Sequence, residues 1–190
     1  MKILKAGYKI RSARSEELTL LSSIELSAAK LFLDTSFSFL VNAAPLPLDF
    51  VQQRFKAGQV WVAADPRDVV VGYAVTQEVD DILYLQQIDV DPAYGRRGIG
   101  SALIDAIFVW AKLQGYAVIS LSTFRDIPWN APFYSKLGFC PLDESELTSG
   151  FQRIRAQEAE AGLPIAERII MQCELSKCVV SDSRLYNAKN

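Results

Sequence analysis

The sequence contains no histidine among its 190 residues. Histidine is the side chain whose ordinary pKa lies closest to neutral pH, and it is the commonest metal ligand in proteins. Its absence excludes enzymes that pair serine or cysteine with histidine, and it removes the usual zinc sites. Proton transfer must therefore use tyrosine, carboxylate, lysine, cysteine or water, and we expect no metal.

Cysteine and long apolar runs are also scarce. Cys140, Cys173 and Cys178 cannot all pair and have no metal-ligand spacing, so we expect reduced thiols in a cytoplasmic protein. No run approaches the roughly 20 apolar residues that cross a bilayer, and the first residues do not resemble a signal peptide. Twenty basic and 22 acidic side chains leave a net charge of −2, so we expect neither nucleic acid nor membrane as a partner.

Half of the residues are apolar, which suits a globular domain of mixed α/β class. Runs rich in valine, isoleucine and tyrosine predict strands at 8–14, 60–64, 69–79, 82–90, 116–123, 139–142 and 168–175. Helical patterns cover 15–32, 48–58, 98–114, 130–138 and 145–162, with Ser15 and Asn130 as N-caps. No repeat or linker divides the chain, so we expect one domain over 1–175 and a polar tail over 176–190.

The stretch "VDPAYGRRGIGSALIDAIFVW", from Val90 to Trp110, places glycines and arginines directly before a very apolar helix. A glycine inside a helix lowers its stability by about 1 kcal/mol relative to alanine. Glycines at this helix start therefore require an explanation. The first amides of a helix have no intrahelical acceptor and lie at the positive end of its dipole. Strand, glycine-rich turn and helix therefore predict a phosphate-binding loop. The same glycines could instead permit close packing of the helix against a strand.

The stretch "IDVDPAYGRRGIGSALI" resembles the acetyl-CoA signature of the GNAT superfamily of N-acetyltransferases, and "PWNAPFYSKLGF" resembles its second signature. The resemblance spans roughly Lys9 to Leu175 and includes the order of the predicted elements. It implies the GNAT-like acyl-CoA N-acyltransferase fold, a mostly antiparallel central sheet flanked by helices. The family has arginine or glutamine where this sequence has Gly95, and Arg96 or Arg97 could supply the missing side chain.

The resemblance implies direct transfer of the acetyl group of acetyl-CoA to a primary amine of a small molecule, peptide or protein. The residues that it implies for cofactor binding lie in the two signatures: Ile88, Asp89, Val90, Arg96, Arg97, Gly98, Ile99, Gly100, Ser101 and Asn130. Tyr134 is implied as the donor that protonates the CoA thiolate, since a phenol with a pKa near 10 stays protonated at neutral pH. Tyr134 could instead anchor its helix, and Asn130 could act only as the N-cap.

The general base stays open. The family often uses a strand glutamate, but Gln86 and Gln87 stand there in this sequence. Asp89 is the nearest carboxylate, and a chain of water molecules is an equal alternative. Further carboxylates in these regions are Glu78, Asp80, Asp81 and Asp126.

The acceptor amine is also open. Arg125, Asp126 and Trp129 follow the strand at 116–123 and could line an acceptor pocket, although Arg125 and Asp126 could instead pair to hold the loop. The helical segment at 145–162 could cover the site or build a homodimer. A catalytically silent CoA-binding regulatory module is the alternative function.

Overall fold

Seven strands and five α-helices make up the part of the chain that the computed structural model describes, residues 7–178. The strands are β1 (Lys9–Ser12), β2 (Val60–Ala64), β3 (Val70–Val79), β4 (Ile82–Val90), β5 (Val118–Phe124), β6 (Cys140–Pro141) and β7 (Arg168–Glu174). The helices are α1 (Leu21–Ala29), α2 (Leu48–Lys56), α3 (Ile99–Gln114), α4 (Ala131–Ser135) and α5 (Ser149–Glu160).

The strands form one sheet in the order β1-β2-β3-β4-β5-β7-β6. β4 and β5 run parallel, with Leu83 opposite Ile119. Antiparallel pairing joins β1 to β2, β2 to β3, β5 to β7 and β6 to β7. The prediction of a mixed α/β fold with a mostly antiparallel sheet and flanking helices is therefore confirmed.

The chain divides into two compact units. Of the described residues, the first unit contains 7–76 and 87–107, and the second contains 77–86 and 108–178. The single domain expected over 1–175 stays a prediction. Of the polar tail expected over 176–190, everything after residue 178 lies outside the described residues.

The core of the first unit forms where α1 and α2 cover β2 and β3. Every residue of β2 is buried, as the apolar sequence of this strand predicts. Leu21 and Ile24 from α1 and Val51 from α2 pack with Val62 of β2 and Tyr73 of β3. This packing sets the positions of the polar groups on the inner sides of α1 and β3.

The first helix differs from the prediction. Only Leu21–Ala29 is α-helical, because Ser15–Leu20 and Lys30–Phe32 form 3-10 turns. Ser15 is not the N-cap, so that prediction was wrong. Instead the amide of Arg14 donates a hydrogen bond to Glu17 Oε2 at 2.7 Å, and Arg11 Nη2 holds the same carboxylate at 2.6 Å. Arg11 therefore orients the side chain that caps this turn.

The second unit holds α5 through its apolar face and its first turn. Phe151 is fully buried and lies against Tyr84, with 6.2 Å between ring centroids. Asp80, in the two-residue turn between β3 and β4, accepts a hydrogen bond of 2.6 Å from the amide of Gly150. Hydrogen bonds from Thr148 and Gly150 lower the pKa of Asp80. Asp80, one of the open base candidates, thus anchors the start of α5.

The cysteines also differ from the expectation of reduced thiols. Cys173 and Cys178 are paired as a disulfide, and Cys140 is free and exposed. The physical reason is the turn that ends β7, where the amide of Lys177 donates to the carbonyl of Glu174 at 3.0 Å. This turn returns the chain so that Cys178 meets Cys173.

No helix within residues 7–178 is long and apolar enough to cross a membrane.

We expect Gly150→Ala to destabilise the protein. A Cβ at this position would lie 2.6 Å from Oδ2 and 2.8 Å from Cγ of Asp80, so Asp80 would have to leave the amide that it now accepts from. Overpacking of this kind costs about 1–3 kcal/mol. The measurement is the urea unfolding midpoint, with the exposed neighbour Ser149→Ala as control. Equal midpoints for the two variants would contradict the prediction.

Candidate functional site

The end of β4 lies very close to β3. A Cβ on Gly72 would be 2.9 Å from the carbonyl oxygen of Asp89 and 3.2 Å from Cγ2 of Val90. Just beyond, the amide of Asp91 donates to the carbonyl of Val71 at 2.9 Å. Glycine at position 72 therefore permits the approach that holds the end of β4, where the sequence predicts cofactor contacts by Ile88, Asp89 and Val90.

The chain then turns sharply into α3. The Asp91 carboxylate accepts a hydrogen bond from the amide of Ala93 at 2.9 Å, and the amide of Gly95 donates to the carbonyl of Pro92 at 3.0 Å. Arg96 and Gly98 have φ values of 58° and 83°, in the left-handed region. Gly98 adopts this conformation without strain because it has no Cβ. The glycine-rich turn is thus a tight, internally bonded loop.

The first turn of α3 presents backbone amides. The carbonyl of Gly98 accepts the hydrogen bond of the Ala102 amide at 3.0 Å, so the amides at Gly98–Ser101 belong to the turn that lacks helical acceptors. Ile99 is buried, whereas Gly98, Gly100 and Ser101 are partly exposed. The site can therefore offer amide donors and the positive end of the helix dipole to an anion.

The two arginines of the loop differ in their surroundings. Arg97 donates to the Tyr8 hydroxyl at 2.6 Å and to the Ala93 carbonyl at 3.0 Å, and its guanidinium lies 5.1 Å from the Tyr94 ring centroid. Arg96 is exposed. Arg97 therefore ties the loop to the segment before β1.

Asp89 belongs to a cluster of polar side chains in the first unit. Tyr73, only 1% exposed, donates its hydroxyl hydrogen bond to Glu25 Oε2 at 2.7 Å and also contacts Asp89. Gln87 Nε2 donates to Asp89 Oδ2 at 2.7 Å, and the amide of Leu46 donates to Glu25 Oε2 at 3.1 Å. Two carboxylates thus share one buried phenol.

Burial and mutual repulsion shift the acidities of this cluster. Burial, with the nearby negative charge of Glu25, raises the pKa of Asp89 to about 7. Burial also raises the pKa of Glu25, and burial beside the two carboxylates raises the pKa of Tyr73. Asp89 can therefore exchange a proton near neutral pH, which suits a general base.

A cavity of about 100 Å³ lies next to this cluster, between the start of α1, α2 and β3. Five aliphatic side chains line it, Leu21 and Val51 among them. Glu25 and Tyr73 are part of its wall, together with Ser22 and Thr19. The cavity is therefore mostly apolar and carries one carboxylate.

Tyr134 and Asn130 lie in the second unit. Tyr134, on α4, is 8% exposed and its ring makes edge contacts with Phe133 at 5.1 Å and Phe139 at 5.7 Å between centroids. Asn130 stands at the N-cap position of α4, but its side chain does not cap the helix. It donates from Nδ2 to the Thr123 hydroxyl at 2.8 Å instead, because β5 brings that acceptor close.

The three residues suggested for the acceptor pocket lie in the loop after β5. Arg125 and Asp126 are exposed, and Trp129 is 39% exposed. The amide of Arg125 donates to the Glu167 carbonyl at 2.8 Å. Within residues 7–178 this backbone bond holds the loop, and no ion pair joins Arg125 to Asp126.

Glu78, one of the open base candidates, and Gln86 both have structural partners. Glu78 accepts a hydrogen bond from the Tyr116 hydroxyl at 2.7 Å, and burial together with this contact raises the pKa of Tyr116 to about 12. Gln86, at the strand position of the expected glutamate, accepts from Gln77 Nε2 at 2.8 Å. Among residues 7–178 no cluster of three or more acidic or cysteine side chains could hold a metal ion.

Sequence reasoning missed Glu25, Tyr73 and the cavity. Glu25 stands between Ile24 and Leu26 in a helical pattern, and Tyr73 stands in an apolar strand, so each fits an ordinary amphipathic or buried element. The one feature of the sequence that could have indicated the cluster is Glu25 directly after the core residue Ile24. Acidic residues next to core residues are common in helices, so this feature does not single out a site.

Residues 56–141 match the family model described as an acetyltransferase (GNAT) domain. An uncharacterized N-acetyltransferase of Methanocaldococcus jannaschii is 32% identical over 77 residues, 40% of this chain and 33% of that protein. The chain therefore spans about a third of the length of the curated relative that it matches.

Solved structures share the fold. An acetyltransferase of the GNAT family from Staphylococcus aureus Mu50 superposes with a TM-score of 0.67 and 21% identity, covering 88% of this chain and 99% of that one. The PaiA N-acetyltransferase of Thermoplasma acidophilum, solved with coenzyme A, gives a TM-score of 0.62 and 17% identity, covering 88% of this chain and 98% of that one. These similarities confirm the GNAT-like fold expected from the sequence.

We expect Asp89 to make stability depend on pH. Its folded pKa is about 7 against about 3.9 when unfolded, so the folded state binds the extra proton between these values. The free energy of unfolding then falls as pH rises through that window. Asp89→Asn removes this titration and should gain stability relative to wild type between about pH 4 and about pH 7.

Urea unfolding midpoints across this pH range measure the effect. Asp49→Asn, which changes an exposed carboxylate at the start of α2, serves as the matched control and should show no such trend. A difference between Asp89→Asn and wild type that does not change with pH would contradict the prediction.

Proposed function

We propose that this chain, whose residues 56–141 match the model of a GNAT acetyltransferase domain, transfers the acetyl group of acetyl-CoA to a primary amine of a small molecule, peptide or protein. The observation that carries the proposal is the turn at Gly95–Ser101, with its left-handed Gly98 and its amides at the start of α3. A diphosphate fits this turn because it needs amide donors, positive charge and the absence of Cβ atoms.

Amides at Arg97–Ser101 would hold the pyrophosphate of acetyl-CoA, and exposed Arg96 would add charge. A helix dipole supplies at most about 2 kcal/mol, while micromolar binding requires about 8 kcal/mol. The remaining affinity must come from contacts along the cofactor. The backbone of Ile88 and Val90 would supply part of it, with Asn130 as a further contact.

Bound acetyl-CoA supplies an activated thioester. The chain must orient the thioester, accept a proton from the amine nitrogen and donate a proton to the departing thiolate. An amide near Val90 would polarise the carbonyl, and Tyr134 would protonate the thiolate. The low exposure of Tyr134 and its aromatic neighbours support this role because they restrict the orientation of its ring.

Arg125, Asp126 and Trp129 stay candidates for contacts with the acceptor amine. A cytoplasmic location and a homodimer stay predictions.

We expect Gly100→Glu to separate cofactor binding from stability. A carboxylate in the first turn interacts favourably with the helix dipole, by about 0.3–1 kcal/mol, so the variant should fold at least as well as wild type. Two like charges about 4 Å apart repel by about 4 kcal/mol at an effective dielectric constant near 20. The calorimetric Kd for acetyl-CoA should therefore rise at least about tenfold.

Gln114→Glu, at the other end of α3, is the matched control and should leave this Kd unchanged. Unaltered acetyl-CoA binding by a folded Gly100→Glu protein would overturn the assignment of the loop.

We expect Tyr134→Phe to lower kcat while leaving acetyl-CoA binding intact, since the substitution removes only the hydroxyl. General acid catalysis contributes about 10²–10⁴-fold in rate, so a loss of at least about tenfold should appear in thiol release with an accepted amine. Tyr116→Phe removes a hydroxyl that is bonded to Glu78 and is the control. Full turnover by Tyr134→Phe would exclude Tyr134 from the reaction, and a wild type that binds acetyl-CoA without acetylating any amine would favour the regulatory module.

A further inference from the structure

The cavity beside α1 has the walls of a site for a mostly apolar ligand with one positive charge. Its volume of about 100 Å³ suits a short chain, and aliphatic side chains form most of its lining. Glu25 is the one formally charged residue among those that line it. A ligand in the cavity would therefore bury hydrocarbon and face a single carboxylate.

Glu25 has an oxygen to spare for such a ligand. Within residues 7–178, its hydrogen bonds from Tyr73 and from the amide of Leu46 both go to Oε2, and no described ion pair includes it. A partly buried carboxylate without a cation is costly, and an ammonium group within hydrogen-bond distance would offset that cost. Oε1 is free to accept the hydrogen bond.

We propose that this cavity binds the acceptor as a primary ammonium ion on a short apolar body, with Glu25 as its counter-ion and Asp89 as the final acceptor of its proton through the Tyr73 hydroxyl. The inference rests on the proposed function and narrows its substrate class. A second charge on the ligand would lie against aliphatic walls, so diamines and free peptides are disfavoured.

The proton path runs through the three side chains of the cluster and needs two rotations. One ammonium proton passes to Glu25 Oε1. The Tyr73 hydroxyl, which donates to Glu25 Oε2, turns and gives its proton to Asp89, and the Glu25 carboxyl then rotates and returns a proton to Tyr73. Asp89 later releases the proton to water. The neutral amine forms the C–N bond as the C–S bond breaks, and the electron pair of the broken bond stays on sulfur. Tyr134 protonates that sulfur. The second proton that the nitrogen loses returns to Tyr134 through water.

The groups that set this path come from three elements. Glu25 faces the cluster from α1, Tyr73 from β3, and Gln87, which is uncharged, from β4 beside Asp89. Because the two carboxylates are linked through Tyr73, they titrate as a pair. The raised pKa of Asp89, about 7, gives the pair a proton acceptor matched to neutral pH.

The test compares three probe amines on the full chain: isoamylamine, putrescine and a glycyl tripeptide. Thiol release with acetyl-CoA measures kcat and KM, and calorimetry without acetyl-CoA measures isoamylamine binding directly. We expect isoamylamine to have the highest kcat/KM, by about tenfold or more, which is the effect expected of burying a second charge or a polar chain.

Variants separate the roles. Glu25→Gln should raise the KM and the calorimetric Kd for isoamylamine about tenfold or more, as expected for loss of a bond to a charged group. Asp89→Asn should lower kcat and remove the limb of the kcat/KM profile that rises towards about pH 7, and Tyr73→Phe should do the same. Ser22→Leu should fill the cavity and weaken amine binding without altering the carboxylates. Asp49→Asn is the exposed control and should match wild type.

The outcomes distinguish the two proposals. Suppose that wild type acetylates amines. The inference is overturned, while the proposed function stands, if Glu25→Gln and Ser22→Leu bind isoamylamine as tightly as wild type does. It is also overturned if Asp89→Asn has the kcat/KM pH profile of wild type. If putrescine or the peptide is the preferred acceptor, the substrate class is overturned. If wild type acetylates no amine, the proposed function fails; weaker isoamylamine binding by Glu25→Gln would then still support the binding site.

Discussion

The first unit depends on the close contact between Gly72 of β3 and the backbone of β4 at Asp89 and Val90. Successive residues of a strand face opposite sides of the sheet, so Gly72 meets β4 while Tyr73 points into the core below α1 and α2. The same contact therefore holds the end of β4, positions Asp89 beside the Tyr73 hydroxyl and sets where the chain turns towards α3. A larger side chain at position 72 would displace all three.

The cluster around Tyr73 is costly to fold. Two carboxylates beside one buried phenol must lose water and repel each other, and the raised pKa of Asp89 reports that cost. Core packing alone does not explain these carboxylates, because apolar side chains of similar volume often stabilise a core as well as buried charged groups do, or better. Perturbed acidities that coincide with a cavity are typical of sites selected for chemistry, and under the proposed function they would supply the proton acceptor that the strand glutamines cannot.

The glycine-rich turn before α3 follows a different principle, since its shape depends on the backbone. Local geometry produces Gly98 at φ 83° and the first amides of α3, which have no intrahelical acceptor; Arg97 only ties the turn to Tyr8. The departure at Gly95 from the GNAT signature that the sequence resembles therefore leaves the backbone geometry of this turn in place. In the second unit, contacts of Asp80 with Gly150 and of Phe151 with Tyr84 hold α5 on the sheet, which explains how a helix with so many charges is kept in position.

Sequence by itself determined the order of the strands and helices, the helix start at the glycine-rich turn and the position of Tyr134 on a short helix. These features follow from periodicity and from motifs whose residues are neighbours along the chain. Only the tertiary structure decided that Glu17 rather than Ser15 caps the first turn, that Asn130 bonds Thr123, that Cys173 meets Cys178, and that Glu25, Tyr73 and Asp89 form one cluster. Each of these depends on which partner a folded neighbour brings within hydrogen-bond or bonding distance. Local patterns carry no information about such distances.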